Sequence, residues 1–304
     1  MCGIVGVYNF NKKPVNEILL AGMRDVLAHR GPHGAGAYFS PDKSVALGHR
    51  RLSIIDLSER ADQPMSNEDG TVWIVFNGEI YNFQELRPDL EKRGHKFKSN
   101  SDTEVIIHLY EEYKEKCLDF LRGMFAFAIW DEREQKLFLA RDRVGKKPLK
   151  YFIGSDFIVF ASELKAILKH PEVHKEPDWE AIDEYLTYQY VPHPKTGFKD
   201  IFKLEPAHYL IVKNNGEIIK KRYWQLDYSK KLNLSETEWE EMILEKLKES
   251  VKMRLISDVP LGAHLSGGVD SSLIVALMSQ ETKEPVKTFS IGFKESDYNE
   301  LPYA

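Results

Sequence analysis

The chain has 304 residues, a length typical of two domains that each bury their own core. Its composition, 42% hydrophobic and 29% charged, excludes collagenous, low-complexity and mostly disordered proteins. The net charge of −5 provides no broad cationic surface, so we expect no nucleic-acid partner. The sequence has no apolar run of membrane-spanning length and no signal-peptide pattern at its N-terminus, which predicts a cytoplasmic protein without membrane association.

The first 210 residues predict strands and helices in an α+β order rather than a regular βα alternation. Strands are predicted at residues 2–8, 44–47, 51–55, 71–76, 125–130, 136–140, 151–153 and 158–162. Apolar periodicity predicts helices over residues 16–28 and near 179–188. The capping-box spacing of Ser101 and Glu104 predicts a further helix that begins near residue 103.

A polar stretch predicts a linker over residues 214–234, which separates a domain at 2–213 from a second one at 235–304. In the second domain the pattern predicts a helix at 236–255, a strand at 261–265, a helix at 270–278 and a strand at 286–291. This βαβ order indicates a parallel sheet. We expect the chain to end inside that domain.

The turn between the predicted strand and helix of the second domain carries Ser266-Gly267-Gly268-Val269-Asp270-Ser271-Ser272. Paired glycines allow close backbone approach, and a helix N-terminus adds converging N–H groups and a positive dipole end. The segment therefore predicts an anion-binding loop, with a serine-capped turn as the alternative.

Cys2 follows a methionine that is usually removed before a small residue, which would leave a thiol and a free α-amine on one residue. An α-amine has a pKa of about 7.7 to 8.0, so it can accept the thiol proton near neutral pH. Cys2 is therefore a candidate nucleophile, with an inert core residue as the alternative. Cys117 is interpreted as such a core residue. Two cysteines are too few for a disulfide framework or a four-ligand zinc site of the usual spacing.

Two sets of motifs resemble known families. Residues 266–272 resemble the pyrophosphate loop of ATP pyrophosphatases, which cleave ATP to AMP and pyrophosphate. Five other segments resemble, in chain order, the motifs of class II glutamine amidotransferases. They are Cys2-Gly3-Ile4-Val5-Gly6, His29-Arg30-Gly31-Pro32, Arg51-Leu52-Ser53-Ile54-Ile55, Asn77-Gly78-Glu79-Ile80-Tyr81-Asn82 and Ser101-Asp102. Together the two sets resemble the glutamine-hydrolysing asparagine synthetases over essentially the whole chain.

This resemblance implies the αββα sandwich of N-terminal-nucleophile hydrolases, followed by the first part of an α/β adenine-nucleotide hydrolase-like domain. Cys2 would attack glutamine, with the Asn77 side chain and the Gly78 N–H as the oxyanion hole. Arg51 would bind the glutamine carboxylate, Glu79 and Asp102 its ammonium, and main-chain groups of Leu52, Ser53, Ile54 and Ile55 would complete the wall. The alternatives without a function in substrate binding are a helix cap for Asp102, a turn for Asn77-Gly78 and a solvated charge for Arg51.

In the second domain the resemblance implies an ATP site that requires magnesium and no tightly bound cofactor. Its residues would be Leu265, Ser266, Gly267, Gly268, Asp270, Ser271, Ser272 and Ile291, with Asp270 also helping to organise Mg²⁺. The implied reaction transfers ammonia from glutamine to an adenylated aspartate, and a homodimer is compatible with the resemblance. Two alternatives stay open: a paralogue that aminates another carboxylate, and a catalytically silent module that binds glutamine or nucleotide.

Overall fold

The computed structural model of the chain describes residues 1–295, 297 and 299–304. Its internal contacts divide the chain into two compact units, Met1–Leu226 and Asp227–Ala304. Within these described residues, we find no helix that combines the length and the apolar character needed to cross a membrane.

The first unit contains twelve of the described strands and five of the described α-helices. The strands are β1 (Gly3–Asn9), β2 (Gly34–Phe39), β3 (Val45–Arg51), β4 (Met65–Ser66), β5 (Val72–Ile80), β6 (Gly123–Asp131), β7 (Lys136–Arg141), β8 (Lys150–Ile153), β9 (Phe157–Ala161), β10 (Ile201–Lys203), β11 (His208–Lys213) and β12 (Ile218–Arg222). The helices are α1 (Glu17–Asp25), α2 (Phe83–Lys92), α3 (Asp102–Tyr113), α4 (Leu164–Ile167) and α5 (Trp179–Tyr188).

Two antiparallel six-stranded sheets form the middle of the first unit. Their strand orders are β10-β8-β9-β1-β3-β2 and β12-β11-β7-β6-β5-β4. Side chains alternate along a strand, so the apolar residues of β1 point to both faces of its sheet, and both faces are covered. Ile4 and Tyr8 point into the core between the sheets, which also contains Trp130 of β6. Val5 and Val7 instead pack in a second core with residues of α1 and α4.

The second sheet is covered on its outer face by α3, which completes an αββα sandwich. Tyr110 of α3 is fully buried and stacks on Phe138 of β7 at a centroid distance of 5.7 Å. These layers are those of the αββα sandwich predicted for this unit.

Several predicted boundaries differ from the structure. The strand predicted at 51–55 is wrong except for Arg51, which is the last residue of β3. Strands β1 and β2 begin opposite Arg50 and Arg51, so residues 52–55 have no partner there. Residues 218–222, predicted as part of the linker, form β12, which pairs with β11 in the first unit. The segment is short and basic, with Lys220, Lys221 and Arg222 at its end, which is typical of an edge strand.

The helix predicted near residue 103 begins at Asp102, but the predicted capping box is absent from this described segment. Ser101 Oγ accepts the N–H of Thr103, as a cap should. The carboxylate of Glu104 instead accepts the N–H groups of Lys98 and Ser99, at 2.7 and 2.8 Å. Helix α2 was not predicted, because Pro88 and many charged residues interrupt its apolar pattern.

The second unit contains α6 (Glu236–Met253), β13 (Gly262–His264), α7 (Val269–Glu281) and β14 (Lys287–Phe289). Strands β13 and β14 pair in parallel, as the βαβ order predicts. A small core of Val251, Leu277 and Met278 joins α6 to α7.

Candidate active site

A cavity of about 230 Å³ opens where β1, β3 and β5 approach each other. Its lining comes from distant parts of the first unit. The lining residues are Met1, Cys2, Arg51, Leu52, Ile54, Ile55, Ala61, Gln63, Phe76, Asn77, Gly78, Glu79, Ser101, Asp102, Thr103, Met124 and Lys147. The structure therefore brings together all of the residues predicted for the glutamine site except Ser53, whose N–H donates to His33 Nδ1 beside the cavity.

Residue 2 is held in place by the His29-Arg30-Gly31-Pro32 segment. Arg30 Nε donates to the carbonyl of Cys2 at 2.9 Å, and Arg30 Nη1 pairs with Glu163 at 2.8 Å. Gly31 is required for the close approach, since a Cβ there would lie 2.3 Å from the Arg50 carbonyl. The backbone of Cys2 is consequently held just before the first residue of β1.

The Cys2 thiol lies against the first residue beyond β3. The N–H of Leu52 donates to Cys2 Sγ at 3.4 Å, and Sγ lies 3.7 Å from the Leu52 carbonyl oxygen. Burial raises the pKa of the Cys2 thiol, and the hydrogen bond from Leu52 opposes this only in part. A nucleophilic role for this thiol therefore requires a base that removes its proton.

Strand β5 supplies N–H groups to the cavity because no strand among the described residues pairs with part of one of its edges. Strand β4 pairs only with residues 73 and 74 of β5. Beyond that point, the N–H of Phe76 donates to Gln63 Oε1 at 2.6 Å, and the N–H of Ile80 donates to Asp102 Oδ2 at 2.8 Å. Alternate N–H groups of a strand point to the same edge, so the N–H of Gly78 faces the cavity between these two side chains.

Asn77 and Gly78 are neighbours in β5; Asn77 has unpaired polar atoms, and Gly78 has no room for a side chain. The side chain of Asn77 is fully buried, and both its Oδ1 and its Nδ2 are without a hydrogen-bond partner within the described structure. Such unpaired buried polar atoms cost about 1 to 3 kcal/mol each and are therefore rare. At Gly78, a Cβ would lie 2.2 Å from the Met124 carbonyl oxygen, so only glycine fits.

Arg51 is buried and organises the loop that follows it. Its Nη1 donates to the carbonyl of Ser58 and to Asp62 Oδ1, both at 2.8 Å, and its Nη2 donates to the carbonyl of Asp56. Three of the five guanidinium N–H groups are thus engaged by loop atoms. Arg51 is therefore more than a solvated charge, and it also lines the cavity.

Asp102 and Glu79 form the acidic side of the cavity. Burial raises the pKa of Asp102 to about 7; Glu79 adds to the increase, and the hydrogen bond from Ile80 opposes it. Burial also raises the pKa of Glu79, while the nearby Lys147 ammonium opposes that increase. Two coupled carboxyl groups with raised pKa values form a site that a ligand cation would stabilise.

The residues predicted to bind ATP lie at one end of the second unit. Leu265 and Ile291 follow the parallel strands β13 and β14, and the loop between β13 and α7 has Gly267 at a φ of +79°. Gly268 is the N-cap of α7, and Ser266 Oγ and Ser271 Oγ lie 3.0 Å apart. Asp270 and Ser271 border a cavity of about 520 Å³. A helix N-terminus with one exposed carboxylate fits a magnesium-bound phosphate group.

Comparison with known proteins places these features in a family. A sequence model of the glutamine amidotransferase domain matches residues 1–224, and one of asparagine synthase matches residues 242–304. The chain belongs to the glutamine amidotransferase family. Glutamine-hydrolysing asparagine synthetase 1 of Bacillus subtilis is 42% identical over 309 residues, which cover 100% of this chain and 48% of that protein.

Two further comparisons show how much of each similar protein this chain covers. Amidase chry2 of Gibberella zeae is 39% identical over 284 residues, which cover 92% of this chain and 41% of that protein. The chain thus spans about half the length of the curated relatives it matches. A solved glutamine phosphoribosylpyrophosphate amidotransferase from B. subtilis has a TM-score of 0.54 at 19% identity, covering 96% of this chain and 67% of that one. That likeness shows the fold.

Sequence reasoning missed one charged residue of this amidotransferase cavity. Lys147 is buried, and its ammonium interacts electrostatically with Glu79 and Cys2, while burial lowers its pKa. It is placed by a turn in which Asp142 accepts the N–H groups of Lys146 and Lys147, both at 2.9 Å. The Asp-x-x-Gly spacing of residues 142–145 indicates such a turn, but not which of two consecutive lysines points inward.

We expect the Asp102→Asn variant to gain thermal stability over the wild type as the pH rises. Asp102 ionises near pH 4 in the unfolded chain and near pH 7 in the folded one, so its contribution to stability is complete below pH 4 and is lost as the pH rises through 7. The difference in unfolding midpoint, measured by calorimetry, should widen by several degrees between pH 5 and pH 8. The exposed Asp119→Asn variant serves as the control, and a constant difference for Asp102→Asn contradicts the prediction.

Proposed function

We propose that the first unit hydrolyses glutamine to glutamate and ammonia, with Cys2 as the nucleophile. The observation that carries this proposal is the buried Asn77 side chain, which has two unpaired polar atoms in the same cavity as the Cys2 thiol. An unpaired donor beside a nucleophile supports transition-state stabilisation, because a charge that develops there finds a partner already in place.

The base in this proposal is the α-amine of Cys2, which becomes free after removal of Met1. Burial lowers the pKa of the α-amine of Met1, and the Arg30 and Lys147 cations act in the same direction. The same cations would act on an amine at residue 2, which increases the neutral, basic fraction at physiological pH. The buried thiol then transfers its proton to this amine, directly or through water.

In the proposed reaction, Cys2 Sγ bonds to the side-chain amide carbon of glutamine. The oxyanion receives hydrogen bonds from Asn77 Nδ2 and the Gly78 N–H, and the α-ammonium of Cys2 protonates the departing nitrogen. Ammonia leaves and a thioester remains, which water hydrolyses to glutamate and the free thiol. Arg51 binds the substrate carboxylate, and Glu79 and Asp102 bind its ammonium group.

We expect Cys2→Ala to abolish glutamate release while glutamine still binds, because the side chains that recognise the substrate are unchanged. Cys117→Ala is the matched control, since Cys117 is fully buried outside the cavity and should leave turnover near the wild-type value. Glutamate release and glutamine binding are measured by a coupled assay and by calorimetry. Wild-type turnover in Cys2→Ala would exclude the nucleophile assignment.

Replacement of Asn77 by alanine should lower kcat by about a hundredfold or more with little change in KM, because an oxyanion donor acts in the transition state. The variant should not lose thermal stability, since it removes two unpaired buried polar atoms.

Asn82→Ala is the control for the Asn77 experiment. Asn82 is also buried, but its Nδ2 donates to Phe120 O and its Oδ1 accepts the Arg122 N–H, both at 3.0 Å. It should lose stability and keep most of its turnover. A weakened KM with unchanged kcat in Asn77→Ala would assign Asn77 to substrate recognition instead.

For the second unit we propose that the loop at residues 266–272 binds the pyrophosphate end of magnesium-ATP, and that ammonia aminates an adenylated carboxylate. Aspartate is the proposed acceptor, since B. subtilis relatives named asparagine synthetase align with both units. Formation of asparagine, AMP and pyrophosphate from glutamine, magnesium-ATP and aspartate supports this acceptor. The amide of another carboxylate would identify a paralogous amidotransferase.

A further inference from the structure

A second group of chemically active side chains lies outside the cavity, on the far part of α3. This histidine–glutamate cluster consists of Glu68, His95, His108 and Glu111. His108 and Glu111 lie on one face of α3, Glu68 lies in the turn between β4 and β5, and His95 lies in the loop after α2. One atom from each of the four side chains lies within 4.8 Å of the other three.

The distances within the cluster are those of ligands around one small cation. His95 Nδ1 lies 3.6 Å from Glu68 Oε1 and 3.5 Å from Glu111 Oε2. His108 Nδ1 lies 3.7 Å from Glu68 Oε2 and 2.9 Å from Glu111 Oε2. Ligands about 2.0 to 2.1 Å from a tetrahedral zinc ion are separated by about 3.3 to 3.4 Å, so small side-chain movements would complete the geometry.

The orientation of the two rings is an independent observation. Each ring directs Nδ1 toward the centre of the cluster and Nε2 toward a carboxylate outside it. His95 Nε2 lies 3.1 Å from Glu112 Oε1, and the buried His108 Nε2 has no hydrogen-bond partner in the described structure, with Glu104 Oε1 3.8 Å away. The contact of His95 is of the kind by which outer carboxylates orient histidines that bind metals.

The two cluster carboxylates are also held from outside. Asn67 Nδ2 donates to Glu111 Oε1 at 2.7 Å, and the N–H of Lys96 donates to Glu68 Oε1 at 2.7 Å. Each carboxylate therefore keeps one oxygen free of these outer donors and available to the cluster centre. Two carboxylates and two neutral imidazoles balance the charge of a divalent cation.

We propose that the histidine–glutamate cluster binds one divalent transition-metal ion, for which zinc has the matching donor preference. The role is structural, because the ion would join the turn at Glu68, the loop at His95 and helix α3. Residue 108 lies six residues, or about 9 Å along the helix, from Asp102 at the N-terminus of α3. The ion would thus fix the helix that positions Asp102 without touching the cavity.

The test is zinc binding to the chelator-treated chain in a Cys2→Ala background, which removes the thiol that solvent can reach and leaves only the buried Cys117. We expect one Zn²⁺ per chain by calorimetry and a rise in unfolding midpoint of about 5 °C or more at a hundredfold excess over Kd. Co²⁺ in the same site should give the intense visible absorption of four-coordinate cobalt. These readouts are independent of glutamine hydrolysis.

The variants His95→Gln and Glu111→Gln should each lose the zinc-dependent rise and the cobalt spectrum. His29→Gln is the control, because His29 also lies beside a glutamate, 3.0 Å from Glu163 Oε1, but outside the cluster; it should behave as the parent chain. His95 and Glu111 are partly exposed, so their variants should fold. Absent zinc binding, unchanged binding in both variants, or equal stabilisation by Ca²⁺ would overturn the proposal and leave the cluster as an ion-pair network.

Discussion

The site depends on the unpaired edge of β5. A strand edge within a protein must satisfy its N–H groups, and here Gln63 and Asp102 satisfy those of Phe76 and Ile80 through their side chains. The Gly78 N–H between them faces the cavity instead of a neighbouring strand. The same two side chains line the cavity, so the residues that satisfy the edge of the sheet also form a wall of the site.

Burial of charge is the second feature of the site. Arg51, Asp102 and Lys147 are each less than a tenth exposed, and Glu79 has a pKa raised by burial. Isolated buried charges are costly, and the chain itself supplies Asp62 as the partner of Arg51 and Glu79 as the partner of Lys147. Asp102 and Glu79 have raised pKa values instead, because burial disfavours their charged forms. In the proposed function, the ammonium group of the substrate would favour the ionised forms of these two carboxyl groups.

From the sequence, the identities of the cavity residues could be predicted more accurately than the secondary structure around them. Cys2, Arg51, Asn77 and Asp102 were found through motif resemblance, because motifs record residue types at fixed spacings. The end of β3 at Arg51 was not predicted, since it depends on where β1 and β2 begin.

Contacts between distant segments were the least predictable part. Glu104 appeared as a capping residue, but it binds the Lys98 and Ser99 N–H groups. Lys147 enters the cavity through a turn whose direction no local pattern specifies. The histidine–glutamate cluster joins residues 68, 95, 108 and 111, which become neighbours only after α2 and α3 pack together.

Peptide mass mapping after treatment with a diazoketone analogue of glutamine tests the central claim most directly. The claim is that a glutamine-shaped electrophile reaches an activated thiol at a free N-terminus. We predict a single adduct on Cys2 of a chain that has lost Met1, formed more slowly when glutamine is present. An adduct on Cys117, or glutamate release by a chain that still carries Met1, would contradict the account.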